Sequence, residues 1–415
     1  MGSINDIGMK AKKASRKLAL LSTLEKNNIL QKAADILEKN AGYIIEQNKI
    51  DIKNAEDAGM KTTLIDRLSL NESRIKGMAQ GMRDVAKLDD PVGSVDSMWK
   101  RPNGLQIGQK RVPLGVIGII YEARPNVTSD AASLCIKSGN SVILRGGKEA
   151  INSNKAVVKM IKEALRESGI DENSVQLVED TSRESANEMM RLDKYIDVLI
   201  PRGGAGLIQA VKKNSTVPVI ETGVGNCHIY VDKDADLDMA CDIVINAKCS
   251  RPSVCNAAES LLIHKDIADK FVPMICSKLR DNNVEIRGCS KVQSLFNDVV
   301  PADEEDWGKE YLDYIMSVKV IDSIEEAIDH IDKYSTNHSE AIVTNNYNNA
   351  QKFLNEVDSA AVYVNASTRF TDGGEMGFGA EIGISTQKLH ARGPMGLKQL
   401  TTIKYIVYGD GQIRK

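Results

Sequence analysis

Aromatic residues are scarce in this chain: 5 Phe, 11 Tyr and 2 Trp, or 4% of 415 residues. Stacking platforms for nucleic-acid bases need such rings, so their scarcity argues against single-strand binding. Charge of one sign is also missing. Lys plus Arg number 54 and Asp plus Glu 57, a net charge of −3, too weak a field for a dedicated nucleic-acid or anionic-membrane binder. No long apolar run exists. The longest, residues 112–121, is interrupted by Pro113, Gly115 and Gly118 and is too short to span a bilayer. The seven cysteines (135, 227, 241, 249, 255, 276 and 289) form no CxxC pair and no Cys/His cluster with metal-ligand spacing, so no metal site is expected. The first residues show no basic stretch followed by an apolar one, and a reducing cytoplasm fits the free cysteines best.

What is present is a globular composition, 42% apolar and 27% charged, in a chain long enough for two or three domains. Residues 4–90 read as helices: Leu18, Leu21, Leu24, Ile29, Leu30, Ala33, Ile36 and Leu37 recur at helical spacing. Residues 91–108 read as a connector. From there apolar strands are expected at 112–120, 141–144, 175–178, 196–200 and 217–220. Helices are expected between them at 127–137, 153–168 (with Asn152 or Ser153 as cap), 184–192 and 204–213. Alternation of this kind predicts a parallel α/β sheet covered on both faces. Ligands of such sheets sit beyond the carboxyl ends of the strands. A second alternating segment spans 257–364, with strands at 260–263, 315–321, 341–344 and 361–364 and helices at 267–279 and 324–333. Glycines crowd residues 371–396, and a last strand is expected at 403–408.

No GxGxxG fingerprint opens a βαβ unit. Gly203 and Gly204, in Pro201-Arg202-Gly203-Gly204-Ala205-Gly206, follow a strand and open a helix, where backbone N–H groups can approach a pyrophosphate. The alternative is a tight strand-to-helix turn. Arg145 and Lys148, in Leu144-Arg145-Gly146-Gly147-Lys148-Glu149, put two cations at a strand's carboxyl end, suited to a ribose phosphate; Glu149 stands where a P-loop needs Ser or Thr. Cys255 lies after the loop Ser250-Arg251-Pro252-Ser253-Val254, with Arg251 near enough to favour a thiolate. The alternative for Cys255 is a small buried hydrophobe. His228, His264, His330, His338 and His390 show no metal spacing.

Several long stretches, in order along nearly the whole chain, carry a resemblance. They are Val112-Pro113-Leu114-Gly115-Val116-Ile117-Gly118, continuing through Tyr121-Glu122-Ala123-Arg124-Pro125-Asn126-Val127-Thr128; Ile200-Pro201-Arg202-Gly203-Gly204; Glu221-Thr222-Gly223 with Gly225-Asn226-Cys227-His228; Ser250 to Asn256; and Ser385 to Gly396. On these the chain resembles the aldehyde dehydrogenase superfamily, and most nearly its branch that reduces glutamyl phosphate. The resemblance implies a Rossmann-type cofactor domain at 1–226 (with 93–111 contributing to oligomerisation), an α/β catalytic domain at 227–372, a return to the cofactor domain at 373–400 and an oligomerisation tail at 401–415. It also implies a nicotinamide cofactor bound without GxGxxG. Cys255 matches the superfamily's nucleophile and Asn126 its oxyanion-hole amide. Arg145 falls where the superfamily has a cofactor-binding lysine after the second strand, with Lys148 close behind; Gly203 and Gly204 match the pyrophosphate loop, and Glu310 falls where a glutamate holds the nicotinamide ribose. Glu221 matches the water-activating base of hydrolytic members.

The activity so implied is NADPH-dependent reduction of L-glutamyl 5-phosphate to L-glutamate 5-semialdehyde through a cysteine thioester, the second step of proline synthesis from glutamate. Arg251 and Arg369 are candidates for the substrate's anionic groups. A homo-oligomer is expected, with no nucleic-acid or membrane partner; association with glutamate 5-kinase is left open. Two alternatives stand beside this: a hydrolytic semialdehyde dehydrogenase, kept alive by Glu221, and a non-enzymatic scaffold of the same fold.

Overall fold

A computed structural model of the chain describes residues 3–414, and of Thr62 and Thr63 the backbone alone. Residues 1, 2 and 415, which the expected domain limits include, lie outside the described residues. Two compact units emerge. One holds the chain up to Glu221, Gly377–Ile382 and the residues from Met395 on; the other holds Thr222–Met376 and Gly383–Pro394.

The first unit opens on helices Ile4–Leu18, Thr23–Lys39, Ala41–Asp57, Thr62–Leu68 and Glu72–Lys87. Ser3 and Ser22 start the first two with reciprocal capping boxes to Asp6 and Glu25. The stretch expected as a connector is a hairpin instead. Strands β1 (Val95–Lys100) and β2 (Gln106–Pro113) pair antiparallel, and the C-terminal strand Thr401–Tyr408 lies on the other side of β2. The single apolar strand expected at 112–120 is broken by Pro113 and Gly115. Gly115 has φ +127°, and a Cβ there would meet the Asp197 carboxylate at 2.2 Å. That carboxylate accepts from the Val116 N–H at 2.7 Å and starts β3 (Val116–Tyr121).

With β4 (Ser141–Arg145), β5 (Val175–Leu177) and β6 (Val198–Arg202), β3 forms a parallel sheet of order β5-β4-β3-β6. The strand expected at 217–220 is reduced to one bridge, Leu199 to Val219, since Pro218 has no N–H for a ladder. The helix expected at 153–168 runs Ile151–Glu167, and neither Asn152 nor Ser153 caps it. Instead the buried Asp51 carboxylate accepts from both their N–H groups, at 3.2 and 2.7 Å.

The second unit is a seven-stranded parallel sheet. Its strands are β7 (Cys227–Val231), β8 (Ala258–His264), β9 (Glu285–Gly288), β10 (Val300–Pro301), β11 (Ile315–Ile321), β12 (Ser339–Val343) and β13 (Ala361–Val364), in the order β10-β9-β11-β8-β7-β12-β13. β7, the helix Leu237–Cys249, β9, β10 and the helix Tyr347–Glu356 had no counterpart in the sequence reading. The core between sheet and helices includes Ile229, Val244, Leu261, Phe271, Ile275 and Val318, all fully buried. The expected boundary at 226/227 falls earlier, after Glu221. Residues 373–400 do not return as one piece: Ile384–Ser385 and Gly393–Pro394 pair antiparallel inside the second unit. The Gly223 N–H donates to the Ile384 carbonyl at 2.7 Å, and Arg392 is ion-paired to Asp358 at 2.8 Å, which ties that hairpin down.

Candidate active site

In the second unit, Cys255 is half-buried on the loop between the helix Leu237–Cys249 and β8. Both feet of that loop are held by one residue. Arg369, on a 3-10 turn at Thr368–Phe370, donates through Nε to Ser250 Oγ at 3.1 Å and through Nη1 to Asn256 Oδ1. Asn256 returns its amide to the carbonyls of Arg369 (3.3 Å) and Thr371 (3.0 Å), and the buried Thr368 hydroxyl donates to the Asn256 carbonyl at 2.7 Å. Burial and the nearby Arg251 hold the Arg369 guanidinium below its ordinary range, while the Cys255 thiol acts on it in the opposite sense. Arg369 is therefore chiefly a clamp on the loop that carries Cys255; Arg251 is exposed.

The backbone below Cys255 is packed to contact. A Cβ at position 225 would fall 1.5 Å from the Cys255 carbonyl oxygen, so only glycine fits. The Gly225 N–H donates to Glu310 Oε1 at 2.7 Å, and burial raises that carboxyl's pKa. Glu310, expected at a ribose, thus fixes the segment leading into β7, which is pressed under Cys255. The buried Cys227 thiol donates to the same Cys255 carbonyl at 3.2 Å, and burial holds its pKa well above the ordinary thiol value. Neither this cysteine nor Cys249, whose thiol burial also raises, is poised as a thiolate.

The other expected residues belong to the first unit, at the carboxyl ends of β3, β4 and β6. Asn126 is exposed at the second position of the helix Pro125–Lys137, and its Nδ2 donates to Asp130 Oδ2 at 3.1 Å. Gly203 and Gly204 follow β6 and lead into the helix Ala205–Asn214. There the Gly204 N–H donates to Glu122 Oε1 at 3.0 Å, and a Cβ on residue 203 would come within 2.6 Å of the Glu122 carboxyl carbon. The helix start therefore accepts an anionic oxygen against bare glycine backbone, the setting a pyrophosphate requires. Arg145 Nη2 donates to the Thr181 and Ser182 carbonyls at 2.7 and 2.8 Å, while Lys148 is exposed. Glu221 is ion-paired to Lys212 at 3.0 Å. Sequence reasoning missed Glu122, Asp130, Asn256 and Thr371. Of these, only the i,i+4 spacing of Asn126 and Asp130 was a readable signal.

Two parallel α/β units, one with a glycine-lined helix start and one with a clamped cysteine loop, define a class of protein, and the comparisons bear on it directly. The sequence model of the aldehyde dehydrogenase family matches residues 3–291. The chain is 66% identical to a gamma-glutamyl phosphate reductase of Clostridium novyi, over 97% of each chain. It is 67% identical to one of Clostridium beijerinckii over 98% of each. The crystal structure of gamma-glutamyl phosphate reductase from Thermotoga maritima is 53% identical over the full length of both chains, with a TM-score of 0.98. An acetylating aldehyde dehydrogenase from Geobacillus thermoglucosidasius, 16% identical, shares the fold with a TM-score of 0.70 over 99% of this chain and 97% of that one. The chain belongs to the aldehyde dehydrogenase family and, within it, to the gamma-glutamyl phosphate reductases.

Proposed function

We propose that the chain reduces L-glutamyl 5-phosphate to L-glutamate 5-semialdehyde and phosphate with NADPH, in the synthesis of proline, and that Cys255 is the nucleophile. The observation that carries the cysteine assignment is the placement of Cys255 on a loop clamped at both feet and left half-open. Burial raises the thiol pKa of Cys227, Cys241, Cys249 and Cys276 in the same unit.

In this reading the Cys255 thiolate attacks the acyl carbon, phosphate leaves with the bonding pair, and a thioester remains. Asn126 and the Cys255 backbone N–H hold the developing oxyanion; a lost donor of this kind costs roughly 3–4 kcal/mol in the barrier. A bound nicotinamide cofactor would supply hydride chemistry at this site. Gly203 and Gly204 hold its pyrophosphate, with Glu122 vacating the Gly204 N–H. Lys148 and Arg145 would supply positive charge for a ribose phosphate, and Glu310 would hold the nicotinamide ribose. Arg251 and Arg369 face the substrate's anionic groups, Arg369 while keeping the loop in place. Collapse of the reduced adduct breaks the C–S bond, and the thiolate is restored.

The three-stranded sheet of β1, β2 and Thr401–Tyr408 supports a homo-oligomer. Ile403, Tyr405 and Val407 share one face, Trp99 packs edge-on to Tyr405 at 6.3 Å, and all four are exposed. The test of function follows NADPH oxidation with glutamyl phosphate, and the reverse reaction with semialdehyde. A requirement for inorganic phosphate in reverse supports the reductase; turnover without it shows the hydrolytic alternative.

A further inference from the structure

Asn126 and Asp130 lie one turn apart on the helix Pro125–Lys137, with Asn126 Nδ2 donating to Asp130 Oδ2 at 3.1 Å. A side-chain amide has two faces. Turned one way it offers Nδ2 hydrogens to an oxyanion; flipped by half a turn it offers Oδ1, which repels one. An ionised carboxylate accepts and never donates, so it selects the Nδ2 orientation. Asp130 is half-buried, and Gly81 on the helix Glu72–Lys87 leaves space beside it: a Cβ there would come only to 4.0 Å of Oδ1. Burial pushes its carboxyl up to about 6, while Asn126, Arg202 and Ser129 pull it back, so it is ionised at neutral pH. Ser129 also donates its hydroxyl to the Asn126 carbonyl at 2.8 Å, which fixes the backbone from which the amide projects.

We propose that Asp130 is a positioning residue for the reduction, holding the Asn126 amide with its Nδ2 presented as the oxyanion donor. This rests on the reading of Asn126 as that donor. A helix-stabilising role alone is the competing explanation of the pair.

The test compares the wild type, D130A, D130N, N126A and D130A/N126A for kcat, KM and the rate of Cys255 alkylation by iodoacetamide, with melting temperatures to verify folding. We expect D130A to lower kcat roughly tenfold or more, the scale of a lost hydrogen bond to a charged group, with little change in KM. D130N, whose amide oxygen still accepts, restores most of the loss. D130A adds nothing in the N126A background, and alkylation stays at the wild-type rate throughout. An equal loss from D130A in both backgrounds overturns the proposal, as does a D130N variant no better than D130A. If N126A itself keeps full kcat, the oxyanion role of Asn126 falls and this inference with it. Loss in N126A with an independent effect of D130A sinks the inference alone.

Discussion

The two units hold different kinds of chemistry. The first, with its four-stranded parallel sheet, contains no histidine and one cysteine, the buried Cys135. Its candidate groups are glycine backbone, an amide and surface cations. The second contains all five histidines and six of the seven cysteines. It buries ionisable pairs such as Lys248 with Glu259 at 2.5 Å and His228 with Glu340 at 3.1 Å. A unit that recognises a charged ligand through N–H groups and helix ends needs few titrating side chains. In the proposed reading the second unit carries the nucleophile, which needs a rigid frame, and hydrogen-bonded buried pairs stiffen one.

The steepest test of this contrast is the nucleophile. C255A and C255S should each lose about a thousandfold or more in NADPH oxidation while leaving NADPH binding, read by its fluorescence, unchanged. Retained turnover would show that Cys255 is not the nucleophile.

Next comes glycine, used differently in the two. Gly225→Ala must displace the Cys255 carbonyl, 1.5 Å from its Cβ, whereas Gly206→Ala on the helix Ala205–Asn214 meets nothing within 4 Å. G225A should lower kcat by roughly a hundredfold, a scale set by misplacement of a reacting group, and G206A should leave it within twofold.

The third is acid sensitivity. His338 is fully buried, and burial lowers its pKa from 6.5 to about 4. Between those values the unfolded chain binds more protons than the folded one, so stability from neutral His338 is present above pH 6.5 and lost as pH falls toward 4. The loss is up to about 3 kcal/mol. Asp130 of the first unit has the opposite sign: raised to about 6, it binds a proton in the folded state first, so its contribution falls as pH rises from 3.8 to 6. Urea unfolding midpoints at pH 7 and pH 4.5 check both. H338Q should flatten the acid limb, and D130N should steepen it.

The smallest expected effect is cofactor choice. Lys148 is an exposed cation, so K148A should lower the kcat/KM preference for NADPH over NADH only about fivefold. An unchanged ratio would show that Lys148 does not set cofactor choice.

Much of the framework was legible in the chain. Runs such as Val116–Tyr121 and Ile315–Ile321 are rich in Val and Ile, and they became strands. Cys255 stood out by its Arg-Pro loop, and Gly203-Gly204 by following a strand. Other elements escaped for definite reasons. β7 contains Cys227, His228 and Tyr230, whose polarity hides a strand buried on both faces. The hairpin of β1 and β2 is exposed along β1, so no burial pattern marks it. The cap of the helix Ile151–Glu167 comes from Asp51, 101 residues away from Asn152.

Local pattern thus determined which segments are strands and helices, and the order of residue types determined the family, because both are properties of neighbours along the chain. Tertiary structure alone decided that Arg369 grips the loop of Cys255, that Glu122 occupies the Gly204 N–H and that residues 383–394 lie in the second unit. Each of these depends on a hydrogen bond or a packed contact between residues far apart in sequence, whose partner is chosen only once the sheets have formed.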